Sequence, residues 1–88
     1  MIPTVRFKSI PENYGKELDG RKPNTLREKD LEDERYRILG ASMVSGEFGF
    51  IEIENTESGR VFRRQITDVT EWKGWLIISW KLCRKREQ

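Results

Sequence analysis

Three side chains within six residues pose the chemical question of this sequence. Gly20-Arg21-Lys22-Pro23-Asn24-Thr25-Leu26-Arg27 gathers two cations and a hydroxyl at Lys22, Thr25 and Arg27. If residues 25–27 are extended, Thr25 and Arg27 point to one face, because side chains in a strand alternate with period two. A lysine supplies a point charge for a phosphate or oxyanion. An arginine adds a planar fork suited to phosphate, carboxylate or a guanine edge. Such a set can cradle a nucleotide without any catalysis. Catalysis asks for more: Thr25 as nucleophile needs a base, and a chain without histidine offers only Lys22 or Glu71. A lysine base must be desolvated or placed beside another cation to lose its proton near neutrality, and Arg21 and Arg27 are the cations at hand. The plainer reading pairs Arg27 with Glu28, Asp30 or Asp33, takes Thr25 as a β-branched strand residue, and makes Pro23-Asn24 ordinary turn chemistry.

A second group lies downstream. Arg63, Arg64 and Lys73 surround Phe62, Trp72, Trp75 and Trp80. An exposed ring there would stack a base for about 1–3 kcal/mol. In so short a chain two of the three tryptophans are expected in the core. Trp72, beside Lys73-Gly74, is expected outside. The run Glu32-Asp33-Glu34 reads as a solvated helix start rather than a metal site. The single cysteine, Cys83, precludes an internal disulfide, and the lack of histidine excludes the common zinc sites and histidine-based triads. No metal or cofactor is expected.

The elements that must position these residues belong to one domain. Eighty-eight residues, 35% hydrophobic and 36% charged, approach the disordered class, but three Trp, four Phe and two Tyr argue for a core. No apolar run approaches the roughly 20 residues of a membrane-spanning helix. Met-Ile-Pro-Thr-Val-Arg lacks the layout of a secretory signal, which predicts a cytoplasmic protein. Residues 1–59 carry nine Lys/Arg against twelve Asp/Glu, and residues 60–88 eight against three, so a net charge of +2 hides a dipolar chain. Its basic end favours polyanions. A single domain over 1–82 with a basic tail at 83–88 is expected.

Thr4-Val5-Arg6-Phe7-Lys8 alternates and predicts a half-buried strand. Ser9 or Ile10 followed by Pro11 and Glu12 starts a short helix, with Tyr14 and Leu18 on its buried face and Gly20 at its end. Residues 25–27 extend or close a sheet. Asp30 is expected to cap a second helix with Leu31, Ile38 and Leu39 as its stripe and Gly40 as its stop. Residues 41–47 read as a loop. Strands at 48–54 and 60–69 flank the turn 55–59, and Trp75-Leu76-Ile77-Ile78-Ser79-Trp80 reads as a strand covered on both faces.

The order of Gly20, Lys22, Thr25 and Arg27 after a short helix resembles the signature of the ASCH group in the PUA-like superfamily. Phe62–Val69 and Trp75–Trp80 are similar to barrel strands of such domains. The chain as a whole also resembles small proteins of Firmicute phages and prophages. The resemblance implies an α+β fold, a small, partly closed β-barrel of about five strands with two helices. It implies binding of nucleic acid or nucleotide. A few relatives of this kind are amidohydrolases that deacylate N4-acetylcytidine with a Lys, a Thr and a Glu. Lys22 and Thr25 match that set. Glu71 is the only carboxylate in the shortened segment before the last strand, and the family's Gly-Asp after the motif strand is missing.

The leading expectation is a noncatalytic module for RNA, single-stranded nucleic acid or a nucleotide. Lys22, Thr25 and Arg27 would bind, helped by Arg63, Arg64 and Trp72. The rival is an amidohydrolase using Lys22, Thr25 and Glu71. A third reading is a phage-encoded protein that binds a host protein through its acidic helix.

Overall fold

The computed structural model describes residues 3–30 and 32–81. Five strands and two helices follow in the order β1 (Thr4–Ser9), α1 (Pro11–Leu18), β2 (Asn24–Glu28), α2 (Glu34–Ser45), β3 (Phe50–Asn55), β4 (Val61–Trp72) and β5 (Trp75–Trp80). The expected tail, Cys83 and Leu31 lie outside the described residues. No helix among the described residues is long and apolar enough to cross a membrane.

The strands form one sheet in the order β1-β3-β4-β5-β2. β1 runs parallel to β3, and every other neighbouring pair is antiparallel. Alternation explains β1: Val5, Phe7 and Ser9 turn inward while Thr4, Arg6 and Lys8 stay outside. β4 is long enough to serve two neighbours. Its first part, from Val61 to Gln65, pairs with β3, and Ile66 onward pairs with β5. The register shifts between Ile66 and Asp68. A bulge bends its strand and sharpens the twist, so the sheet curls where β4 changes partners. The result is a half-barrel. Its two edge strands are bridged by one side chain, with Arg27 Nη2 donating to Ser9 Oγ at 3.1 Å.

The concave face holds the core. Leu39, Ile51, Ile53 and Ile78 are sealed from solvent. Each such side chain contributes about 1.5–3 kcal/mol relative to exposure. Phe62 packs edge-on between Tyr14 and Trp80, at centroid distances of 5.3 and 6.2 Å. β5 does not read as covered on both faces. Leu76, Ile78 and Trp80 are buried, while Ile77 and Ser79 are only half-covered. Of the tryptophans only Trp80 is core, against the expectation of two. Trp72 and Trp75 face each other beside a two-residue turn in which Lys73 (φ 51°) and Gly74 (φ 83°) are both left-handed, the geometry of a type I′ hairpin.

The helices differ most from expectation at their ends. Pro11 begins α1 as anticipated, but Leu18 is exposed and Glu17 takes the buried place beside Tyr14. α2 starts three residues later than Asp30 implies. Asp33 is its cap and accepts from Arg35 N. Gly40 does not stop it. The helix runs through most of the stretch read as a loop and ends at Gly46, whose φ of 78° is the left-handed closing turn. The buried residues Tyr36, Leu39 and Ser42 recur every third position and carry the helix across Gly40.

Candidate functional site

The motif residues converge at the seam between β1 and β2, where α1 passes. Pro11 fixes the entry of α1, and its single buried face places Glu17 three residues beyond Tyr14. The chain then turns through Gly20 (φ 88°) and enters β2. Lys22 reaches back across this turn. Its Nζ donates to Glu17 Oε2 at 3.1 Å and to the Asn24 carbonyl at 2.8 Å, leaving one ammonium hydrogen uncommitted. Thr25 points inward and is buried. Arg27, two residues on, shares that face, as the period-two rule requires.

Arg27 forms none of the ion pairs foreseen with Glu28, Asp30 or Asp33. Its Nε donates to Thr25 Oγ1 at 3.0 Å and its Nη2 to Ser9 Oγ, with the guanidinium 4.9 Å from the centre of the Phe7 ring. Desolvation lowers its pKa, partly offset by the charge of Glu17. A half-buried cation thus rests on two hydroxyls and a ring face.

Glu17 is the residue that sequence reading missed. It is 1% exposed, and among the described residues its Oε1 has no hydrogen-bond partner. A buried polar atom without a partner costs on the order of 1–3 kcal/mol. Beside it opens a cavity of about 350 Å³ whose walls include Ser9, Asn13, Glu17, Lys22, Thr25 and Arg27. The wall offers a carboxylate acceptor, an ammonium and a guanidinium, with no metal-like cluster of ligands among the described residues. Spacing was the available signal, since positions 14 and 17 share a helix face. A glutamate there reads as solvated unless the buried partner is known.

The remaining candidates lie elsewhere. Glu71, the carboxylate assigned to the hydrolase set, is exposed near the β4–β5 hairpin and pairs with Lys29 at 3.2 Å. It does not line the cavity. Arg63 lies over Phe50 at 4.3 Å and donates to Thr4 Oγ1. Arg64 lies over Phe62 and donates to the Leu18 carbonyl at 3.2 Å, closing the end of α1. Trp72 is 61% exposed with Lys73 Nζ 4.9 Å from its ring centre, at the hairpin rather than at the seam. The acidic run forms no helix face: Asp33 is the cap of α2, tied to Arg35, and only Glu34 belongs to the helix. No protein-family model matches this chain, and no curated protein matches it significantly.

Proposed function

We propose that this chain is a PUA-like, ASCH-type module that binds a nucleotide, or a base of single-stranded RNA, without transforming it. The observation that carries the reading is the buried Glu17 carboxylate, with one oxygen held by Lys22 and the other unpartnered at a polar cavity. A carboxylate in that position accepts from the amino or imino group of a base, and the free Lys22 hydrogen donates to a neighbouring ring acceptor. Unstacked bases are read in this way, by hydrogen bonds to their edges. Thr25 holds Arg27 in place and Arg27 closes the wall. The curled five-stranded sheet and the order Gly20, Lys22, Thr25, Arg27 support the family reading.

The hydrolase reading draws on a single observation, that Glu17 brings a carboxylate to Lys22 from α1. Of the two bases offered for Thr25, Glu71 is held by Lys29 outside the cavity, and Lys22 donates to Glu17 and the Asn24 carbonyl instead of meeting the Thr25 hydroxyl. The test follows amide shifts of labelled protein against nucleotides, short single-stranded RNA and N4-acetylcytidine. Shifts should cluster on residues 17–27, and Glu17→Gln should weaken binding by roughly tenfold or more, as loss of a charge-assisted acceptor implies. Loss of the acetyl signal would install the enzyme instead. A spectrum unmoved by every ligand would discard both.

A further inference from the structure

Beyond Arg27 the seam opens into a second, larger cavity of about 550 Å³. Four cations border it, Arg6, Lys8, Arg27 and Arg35, against one carboxylate, Glu28. Two of the four are compensated. Arg6 pairs with Glu52 and Glu54, and Arg35 pairs with Asp33. Neither Lys8 nor Arg27 has a carboxylate within ion-pair distance among the described residues. Phe7 holds two guanidiniums against its ring, Arg35 at 4.2 Å and Arg27 at 4.9 Å from the centroid. Two guanidiniums at one ring, only one of them paired with a carboxylate, leave a positive charge that an anionic ligand would offset. Arg35 is kept in position by its carboxylate and by the Arg6 carbonyl, which accepts from its Nη1 at 2.6 Å.

Lys8 and Arg27 border both cavities. The two spaces therefore suit the two ends of one ligand. Cations outnumber carboxylates in both walls, but only the first cavity has a buried carboxylate oxygen without a partner among the described residues. That oxygen favours a hydrogen-bond donor, while the Lys8–Arg35 end, with no such acceptor, favours an anion. We infer that the second cavity is a phosphate subsite, taking the phosphate monoester of a nucleotide between Lys8, Arg27 and Arg35 while its base occupies the Glu17 cleft. This rests on the base-binding reading above and adds the ligand's polarity. A dianion matches the two uncompensated cations, and arginine forks suit its oxygens.

The test titrates the intact protein calorimetrically with the four common nucleosides, their 5′-monophosphates and inorganic phosphate, at low and moderate salt. The preferred monophosphate should bind roughly tenfold tighter than its nucleoside at low salt, with the advantage shrinking as salt screens it. Arg35→Gln, which borders the second cavity and not the Glu17 cleft, should remove most of that advantage and leave the nucleoside affinity alone. Lys8→Gln, at an exposed strand position bordering both, should also remove most of the advantage. Lys22→Ala should weaken nucleoside and nucleotide equally. Equal affinity of nucleoside and monophosphate in the unaltered protein would overturn the subsite and leave the base cleft standing. Inorganic phosphate bound in a Lys8-dependent manner with no nucleoside bound would keep the anion site and end the base reading. No binding of any of these would end both.

Discussion

Two lysine–glutamate pairs of nearly equal length occupy opposite situations in this molecule. Lys22 meets Glu17 at 3.1 Å, and Lys29 meets Glu71 at 3.2 Å. Distance does not separate them, but surroundings do. Glu17 is sealed against the core with a cavity beside it, whereas Glu71 and Lys29 are both more than a third exposed at the hairpin. An exposed pair trades one set of water contacts for another and is worth about 0–1 kcal/mol. A buried pair that loses one member leaves the other without solvent to replace it. The comparison locates the candidate site at the first pair and makes the second an ordinary surface contact.

The sharpest way to break that comparison is to delete both carboxylates. Glu17→Ala should cost about 2–3 kcal/mol, less than a wholly buried pair because Lys22 keeps partial access to water. Glu71→Ala should stay within about 0.5 kcal/mol. Urea midpoints at constant slope would check both, and equal losses would remove the distinction between the pairs. Next in size is Thr25→Val, which keeps the β-branch but takes away the oxygen that Arg27 Nε donates to. A loss of about 1–2 kcal/mol is expected from the stranded donor. The smallest effect concerns an ion pair intermediate between the two. Side-chain hydrogen bonds from Arg35 hold the Asp33 carboxyl below its ordinary value of 3.8, helped by the Arg35 backbone N–H. Because the folded value is the lower one, the contribution is complete above about pH 5 and fades as pH falls through the ordinary value and then the folded one. Asp33→Asn should therefore flatten the acid limb of a stability–pH curve and leave its slope above pH 5 unchanged.

Much of this architecture was legible where one interaction dominates. The alternation of Val5 and Phe7, the turn residues before Arg60 and at Lys73-Gly74, and the apolar run of β5 each follow from a local rule. The motif strand was legible too, and Thr25 and Arg27 do share a face. Two kinds of residue resisted. Gly40 looks like a helix stop, yet glycine ends a helix only when it turns left-handed, and here burial of Leu39 and Ser42 on either side keeps the chain helical until Gly46. Asp30 and Asp33 compete as caps, and the buried register of Tyr36 and Leu39 decides for Asp33. Glu17 resisted for a different reason. Charge is normally a sign of exposure, and only the tertiary arrival of Lys22 makes it tolerable inside.

The half-barrel is closed across its gap by a side chain, Arg27 to Ser9, rather than by a ladder. β1 and β2 each have a hydrogen-bonded strand neighbour on one side only. Strand edges of this kind present main-chain amides and carbonyls that attract further partners. A guest seated in the gap, as proposed above, would meet peptide groups as well as side chains. Those peptide groups survive every side-chain replacement, so truncating Lys22 or Arg27 singly should weaken recognition in steps instead of abolishing it. Proline placed in either edge strand, which deletes an amide outright, is the substitution that reaches the contacts alanine leaves behind.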